Sequence, residues 1–285
     1  MSELTSDGGF VYSDDQRLSK RMAPMLQRVL IIDPAPPSAR MLSERIRDIS
    51  MGQIHVADSN SGGLNSARQS DPQLIFVEQS GDNVDGIAFT RQLRRGGMAC
   101  RKVPIILTTG AATAAGILAA RDAGVHEFLR KPYTTRDLLR RLEAVTLRPR
   151  DWIEAVAYVG PDRRRFNSGD YAGSLKRQTD AVTPDAARVL QSLRIIKSAV
   201  MAIDADPRQA LRALEAQAAD LMFTAPKIGD TALATAARDF HVYLTDATKL
   251  GVLRPAEALT KAGPLLALLP KDLADQQTAP LAQAG

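Results

Sequence analysis

The residues best placed for chemistry stand where short aliphatic runs stop. Asp33 follows Arg28-Val-Leu-Ile-Ile, Glu78 follows Leu74-Ile-Phe-Val, Thr109 follows Pro104-Ile-Ile-Leu-Thr, and Lys131 follows Glu127-Phe-Leu-Arg. Two acids and a lysine brought together can pair directly, Glu78 with Lys131 in particular, and a lysine facing acids at a strand end is stabilising whatever else it does. A second group is basic. Tyr158-Val-Gly-Pro-Asp-Arg-Arg-Arg and Tyr171-Ala-Gly-Ser-Leu-Lys-Arg share Tyr-x-Gly-x-x-basic-Arg, offset by thirteen residues. Aromatic rings with arginine forks can stack on and clamp planar anions. Arg163, Arg164, Arg165 and Arg177 are thus candidate ligands of a nucleotide second messenger such as cyclic di-GMP. An arginine-rich strap over acidic surface is the alternative.

Other chemistries are excluded or weakly supported. Cys100 is the only cysteine, so an intramolecular disulfide, a cysteine-rich zinc site and a redox pair are all ruled out. His55, His126 and His241 have no metal-ligand spacing and read as structural or surface residues.

The elements that must position the strand-end residues follow from the pattern. Unbroken apolar runs suit parallel strands covered on both faces. Strands at 28–33, 54–56, 74–77, 103–108 and 127–130 alternate with helical stretches at 38–49, 61–69, 85–95, 113–123 and 134–146. That order predicts an α/β fold, a five-stranded doubly wound parallel sheet. Function in such sheets gathers at the carboxyl ends of the strands, where Asp33, Glu78, Thr109 and Lys131 fall.

Those residues and their flanks resemble the receiver (CheY-like, flavodoxin-like) domain of response regulators. Asp33 closes the first strand, Asp85-Gly86 matches the pair that opens the third helix, Thr109 matches the switch hydroxyl, Phe128 the rotating aromatic, and Lys131-Pro132 the Lys-Pro after the fifth strand. The resemblance places the phospho-acceptor eight residues before Gly86, and that residue is Glu78. It also implies a two-component phosphorelay protein, bacterial, with a histidine kinase or phosphotransfer protein as partner.

Two departures alter the implied chemistry. Asp33 is followed by Pro34, in Pro-Ala-Pro-Pro, where a second acid is usual. Magnesium needs near-octahedral oxygen ligation, so Asp33 and Glu78 alone should hold it weakly if at all. Glutamate also carries its oxygens ~1.5 Å further out than aspartate, and misplacement of that size can cost ~100-fold in rate. The expectation is a pseudo-receiver that needs no cofactor, is not an enzyme and acts through protein contacts, with Glu78 reaching toward Thr109 and Lys131. A functional phosphorylated regulator is the alternative.

Beyond the receiver, Thr183-Pro-Asp begins a helix, and apolar residues recur at three-four spacing through Ile203. Further helices start at Pro207, near residue 230 and at Pro255, predicting an all-α helical bundle suited to partner docking or homodimerisation. The run from Lys227 is similar to a histidine phosphotransfer domain, but Ala219 stands where the histidine would be. The predicted layout is a disordered N-terminal arm at 1–25, the receiver at 26–147, an Arg-rich linker at 148–182, the bundle at 183–270 and a disordered tail at 271–285. Net charge is only +5 from 37 basic and 32 acidic residues, so nucleic acid is not indicated. No apolar run reaches the ~20 residues that span a bilayer, and a cytoplasmic protein without membrane contact is expected.

Overall fold

The computed structural model describes residues 16–163, 184–251 and 253–269. The chain divides into two compact units, the first holding the α/β part and the second the helices from residue 184 onward together with Glu154–Ala157.

The first unit is built on strands β1 (Arg28–Ile32), β2 (Gln53–Ala57), β3 (Leu74–Glu78), β4 (Ile105–Thr109) and β5 (Glu127–Arg130), all parallel and ordered β2-β1-β3-β4-β5. Every residue of β3 and β4 is buried, as the aliphatic runs predict, whereas β2 lies at an edge and exposes Gln53 and Val56. Side chains alternate between two cores. Leu30, Ile32, Ile75, Val77, Ile105, Leu107 and Phe128 join Ala67 of α3 (Asn60–Ser70), Phe89 and Leu93 of α4 (Gly86–Arg95) and Ala120 of α5 (Ala114–Ala123). Val29, Ile31, Leu74, Phe76, Ile106 and Leu129 join Leu42 and Ile46 of α2 (Pro36–Arg47) and Leu138 and Leu142 of α6 (Thr135–Thr146).

Two predicted boundaries need correction. The arm at 1–25 was expected to lack structure, yet residues 16–22 form helix α1, followed by a 3-10 turn at Ala23–Leu26. Leu18, Met22 and Leu26 recur every four residues and pack on the second core, which is enough apolar surface to order a short helix. Residues 1–15 lie outside the described part. The linker was expected to start at 148, but Trp152–Glu154 pairs with Val159–Pro161 in a two-stranded sheet. Glu154 is buried; its Oε1 accepts from Gln209 Nε2 at 2.9 Å and its carbonyl from Gln217 Nε2 at 3.1 Å.

The second unit contains helices α7 (Pro184–Met201), α8 (Pro207–Thr224), α9 (Thr231–Leu250) and α10 (Pro255–Leu266) around one core. Leu193, Ile196, Leu214, Leu221, Phe240, Leu244 and Leu265 fill it, and Ala210, Ala213 and Ala218 let α8 approach its neighbours closely. Arg188 of α7 forks onto the Asp220 carboxylate of α8, with Ser192 donating to the same group at 3.0 Å. Ala219 is exposed on α8. The predicted tail at 271–285 lies outside the described residues, among which no helix is long and apolar enough to cross a membrane.

Candidate functional site

The carboxyl ends of β1, β3 and β4 and the turn after β5 meet at one pole of the sheet. Parity decides which side chains point together there. Asp33, Glu78, Thr108 and Lys131 continue the alternation of Ile31, Phe76, Ile106 and Leu129, so they share the α2/α6 face.

Lys131 Nζ sits between the two acids, 2.8 Å from Asp33 Oδ2 and 2.6 Å from Glu78 Oε2. Ser38, in the first turn of α2, accepts from Lys131 Nζ at 2.7 Å and donates to Asp33 Oδ2 at 2.7 Å. Asp33 Oδ1 accepts the Ala35 amide at 2.9 Å, tying the carboxylate to the start of α2. Glu78 pairs in register with Thr108, whose hydroxyl donates to Glu78 Oε2 at 2.9 Å. Both acids are buried, while Lys131 keeps 24% of its side chain exposed. Burial by itself would lower the Lys131 ammonium, but hydrogen bonds to Asp33 and Glu78, and their charges, outweigh it and hold lysine above its ordinary value. Burial likewise raises the Tyr133 phenol, against the nearby Lys131 charge.

Thr109 does not meet Glu78. It has the parity of Ile105 and Leu107, and its hydroxyl accepts the Ala111 amide at 3.1 Å. Thr108 holds Glu78 instead, a residue that alternation counted from Ile106 could have identified. Ser38 was also missed; only its position five residues after Asp33, at a helix start, hinted at it. Phe128 is buried in the other core.

Glycine is required at 86 because a Cβ there would stand 2.4 Å from the Glu78 carbonyl and 2.6 Å from Leu107 Cδ1. Asp85 beside it caps α4, its Oδ1 accepting the Ile87 and Ala88 amides at 3.0 and 2.9 Å. The Asp85-Gly86 pair therefore sets the path of the chain under Glu78.

A magnesium ion fits this donor set poorly. Both carboxylates are committed to the Lys131 ammonium, Pro34 offers no side-chain oxygen, and among the described residues no cluster of three acids, histidines or cysteines could hold a metal. What the arrangement can do is hold a positive charge between two negative ones.

The basic repeat is only partly within view. Arg164, Arg165 and Arg177 lie outside the described residues. Arg163 pairs with Asp122 at 3.0 Å and lies over the Tyr158 ring, 4.5 Å from its centroid. Tyr158 is buried, and its hydroxyl donates to the Pro161 carbonyl at 2.6 Å. This half of the motif thus serves the first unit's own packing. His55 sits on edge strand β2 and His241 on α9 of the second unit.

Residues 29–143 match the family described as response regulator receiver domain. The transcriptional regulatory protein BaeR of Escherichia coli is 22% identical over 166 residues, covering 58% of this chain and 67% of that protein. The DNA-binding response regulator MtrA of Mycolicibacterium smegmatis is 27% identical over 139 residues, 49% of this chain and 59% of that one. The chain thus spans less than two thirds of MtrA. Among solved structures, Vibrio cholerae chemotaxis protein CheY4 is similar at 20% identity and TM-score 0.39, covering 42% of this chain and 98% of that one. A two-component response regulator from Clostridium difficile aligns at 22% identity and TM-score 0.39, over 42% of this chain and 95% of its own.

Proposed function

We propose, for a chain whose residues 29–143 are a response regulator receiver domain, that this receiver works without phosphorylation, as a signalling adaptor that presents a fixed surface to a protein partner. The observation that carries the reading is the Lys131 ammonium held between Asp33 and Glu78 at 2.8 and 2.6 Å. Phosphoryl transfer to a carboxylate needs metal ions to neutralise the incoming charge and an attacking oxygen at the right place. Here the acceptor position holds the longer glutamate, Thr108 and Lys131 both bind its Oε2, and the metal's ligand set is short of an acid. The charge pattern of a modified receiver is approximated by the chain itself. Partner binding then falls to the receiver surface and to the apolar helices of the bundle, as amphipathic helices commonly provide.

The test is a titration with magnesium and beryllofluoride, a phosphoryl mimic, followed by heteronuclear NMR of the amides around Glu78, Thr108 and Lys131. No saturable shift is expected. Saturable shifts at these amides would return the protein to the phosphorylated class and overturn the reading.

A further inference from the structure

A cavity lies at the opposite pole of the sheet from Glu78, where β4 and β5 begin. It measures about 190 Å³ and is walled by Lys102, Pro104, His126, Val145, Arg150 and Trp152, with Ala144 and Pro149 beside them. Pro104 directly precedes β4 and His126 directly precedes β5, so the cavity is separated from the acidic pole by the length of the strands.

Its polar groups are unusually disposed. His126 is 8% exposed, and its Nδ1 receives the Ile105 amide at 3.3 Å and faces Arg94 Nη2 at 3.3 Å. Both of those groups can only donate, so Nδ1 carries the lone pair and the proton resides on Nε2. Burial above all, with the Arg94 and Arg150 charges, keeps the ring well below the usual histidine value and hence neutral. No described residue bonds the Nε2 proton, which leaves a donor on a ring that lines the cavity.

Cationic side chains gather around Trp152 at the cavity. Arg94, Arg101 and Lys102 lie 5.2, 6.0 and 5.8 Å from the centroid of the Trp152 ring. Arg150 binds the His126 and Asp162 carbonyls and lies 4.0 Å from Glu127, which is 3.2 Å from Arg141. Lys102 is exposed and meets no carboxylate among the described residues. The same lining includes the apolar surfaces of Pro104, Ala144, Val145 and Pro149. A cavity lined by both polar donors and apolar carbon can orient an amphiphilic ligand.

We propose that this cavity binds a small organic anion of one ring's size, a single-ring carboxylate whose head group meets Lys102 and the His126 Nε2 proton and whose ring packs on Pro104, Val145 and Pro149. The volume is below the ~300 Å³ at which pockets for larger ligands begin, which selects one ring over a nucleotide. The site is independent of the adaptor reading.

Trp152 is the only tryptophan in the chain, so its fluorescence reports the cavity directly. The full chain is titrated with benzoate, with benzamide as the neutral isostere and inorganic phosphate as the ringless anion. Benzoate should change the emission saturably while benzamide and phosphate bind roughly tenfold more weakly or less, the loss of one charged hydrogen bond or of the ring contact. Lys102→Ala, on an exposed side chain that leaves the fold intact, should weaken benzoate about tenfold, and Lys102→Arg should restore it. No saturable change by about 10 mM benzoate, beyond the weak end of ligand affinity, overturns the proposal. Equal binding of benzamide overturns the anion requirement, equal binding of phosphate overturns the ring, and unaltered affinity in Lys102→Ala overturns the assignment of the head group.

Discussion

Replacing Lys131 with methionine removes the one cation from between two buried carboxylates. Asp33 and Glu78 keep only 5% and 10% of their side chains exposed, so the change leaves like charges facing each other in a site that excludes most water. Breaking a buried pair by deleting one partner costs ~3–5 kcal/mol. Since Lys131 itself is 24% exposed, water can enter the vacated space, and about 3 kcal/mol is expected at neutral pH. The deficit should depend on pH in a definite direction. Two carboxylates left together share a proton more readily, so one acid is raised in the folded variant and the penalty fades as pH falls from about 7 to 5. In the parent the Lys131 contribution should be flat over that range, because Lys131 is raised: it is complete below the ordinary lysine value and is lost only as pH rises through the higher folded one, so the deficit is read as the difference between variant and parent at each pH. Lys131→Met combined with Glu78→Gln should recover most of the loss. Urea unfolding followed by Trp152 emission, with an unchanged slope against urea as the check on mechanism, measures all three. A deficit under about 0.5 kcal/mol, within the range of ordinary surface substitutions, or one indifferent to pH, refutes the buried bridge.

Three other outcomes follow from the same geometry. Thr108→Val should cost about 1 kcal/mol or more by removing the donor to Glu78, and should shift the Lys131 NMR resonances; Thr109→Val should leave those resonances in place. Gly86→Ala should destabilise by ~1–3 kcal/mol, because a Cβ at 2.4 Å from the Glu78 carbonyl forces the backbone to move; chemical denaturation checks it. His126 is held well below 6.5 in the fold, so the unfolded chain takes up its proton first and stability should fall as pH drops below that value, by up to ~1.4 kcal/mol per pH unit. His126→Gln should abolish that slope, and an identical slope in the variant would assign it to other groups.

Much of the first unit was legible because strand periodicity is a local property. The aliphatic runs ending on Asp33, Glu78 and Lys131 gave both the strands and the residues at their ends, and Asp85-Gly86 marked the helix start that lies beneath Glu78. The bundle was legible for the same reason, since three-four spacing marks helices without reference to what they pack against. Thr108 could also have been found by carrying the alternation one residue past Ile106. The helix at residues 16–22 was less accessible: three apolar residues in a charged stretch form a helix only when a core receives them.

The amino-acid sequence alone thus determined the order of the five sheet strands and the helices between them, a glutamate at residue 78 where the resemblance to receivers expects the phospho-acceptor, and a proline after Asp33 where it expects a second acid. Only the tertiary structure decided that Lys131 bridges Asp33 and Glu78, that Ser38 and Thr108 hold the bridge, and that His126, Lys102, Arg150 and Trp152 line one cavity. The physical reason is distance along the chain. Asp33 and Lys131 are 98 residues apart, and their meeting depends on the parallel register of the intervening strands, which no local pattern encodes.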